Sequence, residues 1–133
     1  MTNKLEIYRC KVCGNIVQIL IDGMGELHCC GEALELMEVQ TDEPEKGEYH
    51  VPVKIHSEEN SDFIQVGKEP HPMTNEHHIK FIQVISDNKK YLKMFYLNPD
   101  EEPKAYLKNN IDGNYCMLEL CNIHGLWGGK DVK

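Results

Sequence analysis

No stretch of this chain approaches the roughly 20 consecutive apolar residues that a membrane-spanning helix needs, and no basic block balances its acids. Asp and Glu number 22 against 14 Lys and Arg, a formal net charge of -8. The acids cluster at Asp42 to Glu48, Glu58 to Asp62 and Asp100 to Glu102. Nucleic-acid and anionic-membrane partners are therefore disfavoured, and an anionic substrate would need positive charge supplied locally. The start, Met1 to Glu6, lacks the charged-then-apolar layout of a signal peptide, so a cytoplasmic location is expected. Internal repeats, low-complexity tracts and helical periodicity are wanting as well. Nothing longer than a single helical turn, at Ala105 to Asn109, is predicted.

What the chain does have is cysteine and histidine, six and seven of them in 133 residues. That length holds one ordinary domain, or a small metal-stapled module joined to a domain of about 90 to 100 residues. The crowding of Cys10, Cys13, Cys29 and Cys30 near the start favours the second arrangement. A segment so short buries too little apolar surface to fold unaided. Residues 1–39 read as a tiny β unit, with strands expected at Leu5 to Tyr8, Ile16 to Ile21 and Leu34 to Val39. Residues 40–49, acidic and carrying Pro44 and Gly47, read as a linker. Residues 50–133 show short runs rich in Val, Ile, Tyr and Phe: His50 to His56, Phe63 to Val66, His77 to Ser86, Tyr91 to Leu97 and Tyr115 to Asn122. Their spacing argues an all-β sandwich.

Cys10-Lys-Val-Cys13 and the adjacent pair Cys29-Cys30 bring four thiols into a segment without a core. Thiolates at that density select a soft tetrahedral site of four sulfurs, and geometry alone allows zinc or iron. Disulfides are disfavoured in a reducing compartment. Neighbours in a strand point to opposite faces, so the adjacent pair must sit on a bend, which Gly31 supplies.

The second constellation is Cys121-Asn-Ile-His124 with His71, His77 and His50. Each histidine alone reads more readily as an ordinary surface or core residue. Together, four imidazoles and one thiolate make a plausible iron site and an odd inventory for structural zinc. His77 shares a strand face with Ile79 and Phe81, which makes it the inward residue and leaves His78 solvated. His56, among Ser57, Glu58 and Glu59, reads as exposed, and His28 needs no role. Cys116 falls on the face of Leu118 and Leu120, opposite Cys121, and is expected to be a buried, inert thiol. Pro72 biases His71 toward an extended backbone, so ligands must come from loops and strand ends rather than a helix.

The order Cys10-x2-Cys13, Cys29-Cys30-Gly31, His50-Val-Pro-Val, His71-Pro-Met, His77 and Cys121-Asn-Ile-His124-Gly-Leu-Trp127 resembles desulfoferrodoxin, the two-domain superoxide reductase of anaerobic and microaerophilic prokaryotes. The resemblance spans nearly the whole chain. It implies a desulforedoxin-like (rubredoxin-like) domain with a distorted FeS4 centre, followed by an immunoglobulin-like β-sandwich. By matching positions, His50, His71, His77 and His124 would be equatorial ligands of a second iron and Cys121 its axial sulfur, with the sixth position open. Two irons per chain, superoxide as substrate, a rubredoxin-like electron donor and a homodimer are implied. A zinc-knuckle binding module and an electron-transfer or redox-sensing iron protein are the competing readings.

One departure concerns the approach to the iron. The family typically has Glu-Lys before the first histidine ligand, the Glu capping the resting site and the Lys attracting superoxide or organising water. Here Glu48 matches, but the lysine position holds Tyr49. Either Lys46 on the linker leans over the site, or the iron's own charge and a water held by Tyr49 suffice. The second is favoured, because a linker lysine is a poor device for positioning a proton donor.

Overall fold

Short strands alternate with glycine-marked turns throughout the computed structural model, which describes residues 1–41, 47–57, 62–107 and 113–131. The chain divides into two units, Met1–Glu38 and Val39–Lys133. In the first, β1 (Ile7–Arg9) pairs antiparallel with β2 (Ile16–Gln18) on one side and β5 (Glu35–Leu36) on the other. β3 (His28–Cys29) and β4 (Glu32–Ala33) form a separate hairpin. Its two turn residues both lie at positive φ, Cys30 at 54° and Gly31 at 78°, the conformation whose twist suits a two-residue hairpin.

The core of this unit is minimal. Ile7, Cys10 and Ile19 are its buried apolar side chains, whereas Leu20, Ile21 and Met24 are exposed. The apolar run from Ile16 to Ile21 is thus a three-residue strand followed by an exposed turn, not one long strand. So small a core is a weak hold, and an ion shared by the four thiols would add to it.

In the second unit, a helical turn α1 (Gly47–His50) precedes seven strands: β6 (Pro52–Ile55), β7 (Phe63–Val66), β8 (Ile79–Ser86), β9 (Leu92–Tyr96), β10 (Lys104–Tyr106), β11 (Tyr115–Cys121) and β12 (Gly125–Asp131). They form two antiparallel sheets, ordered β10-β7-β6 and β12-β11-β8-β9. Ile64, Val66 and Ala105 of the first sheet and Ile82, Val84, Tyr115 and Met117 of the second share one core. The protein is therefore all-β in class, as its residue patterning predicts, with a sandwich as its larger unit.

Four local expectations are corrected. His50 ends a helical turn instead of heading a strand, and β8 starts at Ile79, leaving His77 in the preceding loop. The helical turn expected at Ala105 to Asn109 is strand β10 up to Tyr106, with Lys108 and Asn109 outside the described residues. Strand β12 had no counterpart among the predicted runs, because Gly-Leu-Trp-Gly-Gly lacks the β-branched signature. Those glycines serve close approach: a Cβ on Gly129 would meet the Pro52 carbonyl oxygen at 2.4 Å, and one on Gly128 the Val39 side chain at 2.6 Å.

Candidate metal centres

The four-cysteine centre is built from two tight turns. Gly14, at φ 84°, lets the chain double back so that its N–H reaches the Cys10 carbonyl at 3.0 Å. The Cys13 N–H then points at the Cys10 sulfur, 3.5 Å away. The Cys30-Gly31 hairpin presents the other two thiols. Cys13 Sγ lies 3.6 Å from Cys29 Sγ, and Cys29 Sγ lies 3.9 Å from Cys30 Sγ. A tetrahedral ion with metal–sulfur bonds of about 2.3 Å requires sulfurs about 3.8 Å apart, so the separations suit one shared ion.

Electrostatics agree. The Cys13 N–H bonded to its sulfur lowers the Cys10 pKa to about 7, while bonding to the Cys10 and Cys13 sulfurs raises Cys29 to about 12. One thiolate forms readily, and further ionisation next to it is opposed until a cation arrives.

In the second unit the structure brings together His50, His71, His77, His124 and Cys121, whose donor atoms all lie within 4.8 Å of one another. Adjacent ring centroids are separated by 4.6 Å (His50–His71), 4.6 Å (His71–His77), 5.0 Å (His77–His124) and 4.8 Å (His50–His124). His50 and His77 stand 6.3 Å apart across the ring. Four near-equal sides and a longer diagonal describe a square of imidazoles. Cys121 Sγ sits 3.6 Å from His71 Nε2 and 3.8 Å from His124 Nδ1.

Each donor has an identifiable hold. Cys121 shares the inward face of β11 with Tyr115, Met117 and Glu119, and at the strand end it pairs with Ile79 of β8, past a register irregularity that skips Lys80. Its sulfur accepts the His124 main-chain N–H at 3.4 Å. His71 donates from Nδ1 to the Pro72 carbonyl at 2.7 Å, which makes Nε2 its ligating atom. His77 sits in a turn closed by Thr74, whose N–H reaches the His77 carbonyl at 2.9 Å. His50 stacks on Trp127, with centroids 4.9 Å apart and planes 12° apart.

The turn α1 that carries Glu48, Tyr49 and His50 is strapped down at Gly67. The Lys68 N–H bonds the Glu48 carbonyl at 2.8 Å, and Gly67 at φ 82° packs against the Tyr49 carbonyl. Glu48 and Tyr49 are both exposed in this turn; Lys46 lies outside the described residues.

The donors fit a metal ion. Burial lowers the His71 pKa to about 4 and lowers that of His77, keeping both rings neutral. His77 Nε2 is buried without a hydrogen-bond partner, an orphaned lone pair that a cation would satisfy. Burial likewise raises the Cys121 thiol, so its proton leaves in exchange for a cation.

Two residues, His78 and Cys116, behave otherwise than expected. His78 is not solvated: it is 9% exposed, and its ring Nδ1 donates to the Thr74 carbonyl at 3.0 Å. His77 precedes the strand, so the alternation used to expose its neighbour does not apply there. Cys116 is half-buried rather than buried, with Asp87 Oδ1 3.8 Å away. His56 is exposed and pairs with Asp62 at 2.9 Å, and His28 pairs with Glu26 at 2.7 Å.

Two residues went unnoticed in the sequence. Asn122 bonds the His78 N–H (2.9 Å) and the Glu76 carbonyl (2.9 Å), bracing the His77 loop against the Cys121–His124 loop. Glu119 is fully buried 3.9 Å from His50 Nδ1, and burial raises its pKa well above the ordinary range. The inward alternation that finds Cys121 also passes through Glu119, so a signal existed.

A cysteine-rich module with a four-donor centre, followed in the chain by an all-β sandwich with a five-donor centre, defines a two-centre metal-binding protein. The desulfoferrodoxin family model matches residues 40–130, and the model of the desulfoferrodoxin N-terminal domain matches residues 2–37. The chain belongs to the desulfoferrodoxin family. It is 44% identical over 127 residues to a desulfoferrodoxin homolog of Archaeoglobus fulgidus, covering 96% of this chain and 98% of that one. A superoxide reductase of Thermococcus kodakarensis is 39% identical over 98 residues, covering 62% of this chain and 84% of that one. The fold is similar to the crystal structure of the superoxide reductase from Treponema pallidum, with a TM-score of 0.70 at 24% identity over 97% of this chain and 99% of that one.

Proposed function

We propose that the five-donor centre holds iron and reduces superoxide to hydrogen peroxide, while the four-cysteine centre holds a second iron and an external rubredoxin-like carrier restores the electron. The observation that carries this reading is the donor set itself, four imidazoles in a square beside one buried thiol. That inventory suits iron and is unusual for zinc. Kinship with the Thermococcus kodakarensis superoxide reductase supports it. The balance is one electron and two protons per superoxide, giving one hydrogen peroxide and no dioxygen. Bound ferrous iron supplies that electron, and a thiolate ligand strengthens it as a donor.

The chain's own residues set the conditions. Burial keeps His71 and His77 neutral, so a divalent ion with one thiolate retains a net positive charge of about one. That local charge draws in an anion against the acidic protein around it. The His124 N–H on the Cys121 sulfur favours the thiolate form. Tyr49, in the turn that ends at His50, holds water for proton supply and brings no charge. Association with superoxide is then slower and less salt-sensitive than in relatives with lysine there.

The test is superoxide consumption by the reduced, iron-replete protein, with one peroxide formed per superoxide and no dioxygen. A protein that loads iron but leaves superoxide untouched would be an electron carrier instead. Tyr49→Lys should raise the rate and steepen its salt dependence; no change in either rejects the role given to Tyr49.

A further inference from the structure

Gln40 belongs to the acidic stretch whose sequence suggests only a linker, yet its main chain pairs with β12. Its N–H donates to the Leu126 carbonyl at 2.9 Å, and its carbonyl accepts the Gly128 N–H at 2.8 Å, a parallel bridge opposite Trp127. The side chain reaches further along the same hairpin. Its Nε2 donates to the His124 carbonyl at 2.7 Å and approaches the Leu126 carbonyl at 3.3 Å. Gly125, at φ 85°, leaves the space: a Cβ there would stand 3.3 Å from that Nε2.

The His124 carbonyl also accepts the Trp127 indole N–H at 3.2 Å. Two donors thus fill both lone pairs of one carbonyl and fix the peptide plane that follows His124. The direction in which the His124 Cα projects its ring is fixed with it. His71 is oriented through a hydrogen bond of its own ring, whereas His124 is held through its main chain.

We propose that Gln40 is a positioning residue for His124, and that through it the segment following the four-cysteine unit sets how firmly the five-donor centre grips its metal. Edge pairing alone would not require the amide, because the bridge to β12 is made by main-chain atoms. The contact to His124 is made by the amide. Losing a partner that bonds a ligating ring directly typically weakens metal binding about 10- to 100-fold, and a partner acting through the main chain belongs at the lower end of that range. The inference rests on reading the five donors as a metal site, and its test separates the two.

The experiment is titration of the full metal-free chain with cobaltous ion, whose visible bands differ between a tetrahedral site of four thiolates and a five-coordinate site of four imidazoles and one thiolate. Gln40→Met keeps the length and the backbone bridge and removes the donor. It should weaken cobalt binding at the five-donor centre about tenfold and leave the four-cysteine centre unchanged. Gln40→Glu, which sets a carboxylate against two carbonyls, should weaken it at least as much. Circular dichroism of the metal-free variants checks the fold, and Gln40→Asn, too short to reach the carbonyl, serves where Gln40→Met fails to fold. Parental affinity in Gln40→Met or Gln40→Glu, or equal weakening at both centres, overturns the inference. A parent chain that takes up cobalt only at the four cysteines overturns the site and the inference together.

Discussion

Gly67 is where backbone geometry and the metal centre meet, and Gly67→Ala isolates that link. The residue stands at φ 82°, and a Cβ there would lie 2.4 Å from the Glu69 carbonyl oxygen and 2.5 Å from that of Tyr49. The left-handed conformation alone costs a non-glycine residue roughly 1–2 kcal/mol. The two contacts are with main chain, so they are relieved only by moving both the backbone at Glu69 and the turn that carries His50, for roughly 1–3 kcal/mol more. Gly113 is the natural control: it stands at φ 79° with nothing among the described residues within 4 Å of its would-be Cβ. At about 4–8 °C per kcal/mol for a domain of this size, Gly113→Ala should lower the melting temperature of the metal-free sandwich by about 6–12 °C, and Gly67→Ala by about twice as much. Gly67→Ala should also weaken metal binding at the five-donor centre, because the displaced turn carries His50, with Gly113→Ala leaving it unchanged. Calorimetry and metal titration read both effects. Equal melting temperatures and equal affinities in the two variants would refute the reasoning, since the strap against Tyr49 would then carry no cost.

Cys13→Ser should reduce iron from two per chain to one and remove one visible chromophore, with peroxide formation largely intact; loss of both irons, by quantitation, would show that the centres are not independent. Glu119 gives a pH signature in the metal-free protein. Its folded pKa is raised by burial, so the folded chain binds that proton more tightly than the unfolded chain does. The stabilisation is complete below the ordinary carboxyl pKa of 4.5 and is lost as pH rises above it. Melting temperature should therefore fall with rising pH more steeply in the parent than in Glu119→Gln, and parallel profiles would reject the upward shift that burial gives this carboxyl.

The sequence reveals the donors better than what holds them. Cysteine and histidine are rare enough that their spacing stands out, and alternation along β11 separates Cys121 from Cys116 without any coordinates. Strand β7 is legible because Phe63, Ile64 and Val66 crowd four residues, and β11 because its run from Tyr115 to Cys121 is apolar but for Glu119. Strand β12 is not, because its glycines are selected for close approach to Pro52 and Val39, a tertiary demand with no local mark. The burial of His78 escapes the pattern because strand periodicity does not extend into the loop before β8. Gln40 and Asn122 act by bonding main-chain groups far away in sequence, and nothing in their neighbours announces such a role.

Trp127 is the sole tryptophan of the chain, and its indole lies flat against the His50 ring. The protein thereby contains its own optical gauge. Fluorescence from that indole should be extinguished by an open-shell ion such as iron seated among the imidazoles and should persist with a closed-shell one such as zinc. The identity of the resident metal becomes readable in the native chain, without a label and without turnover.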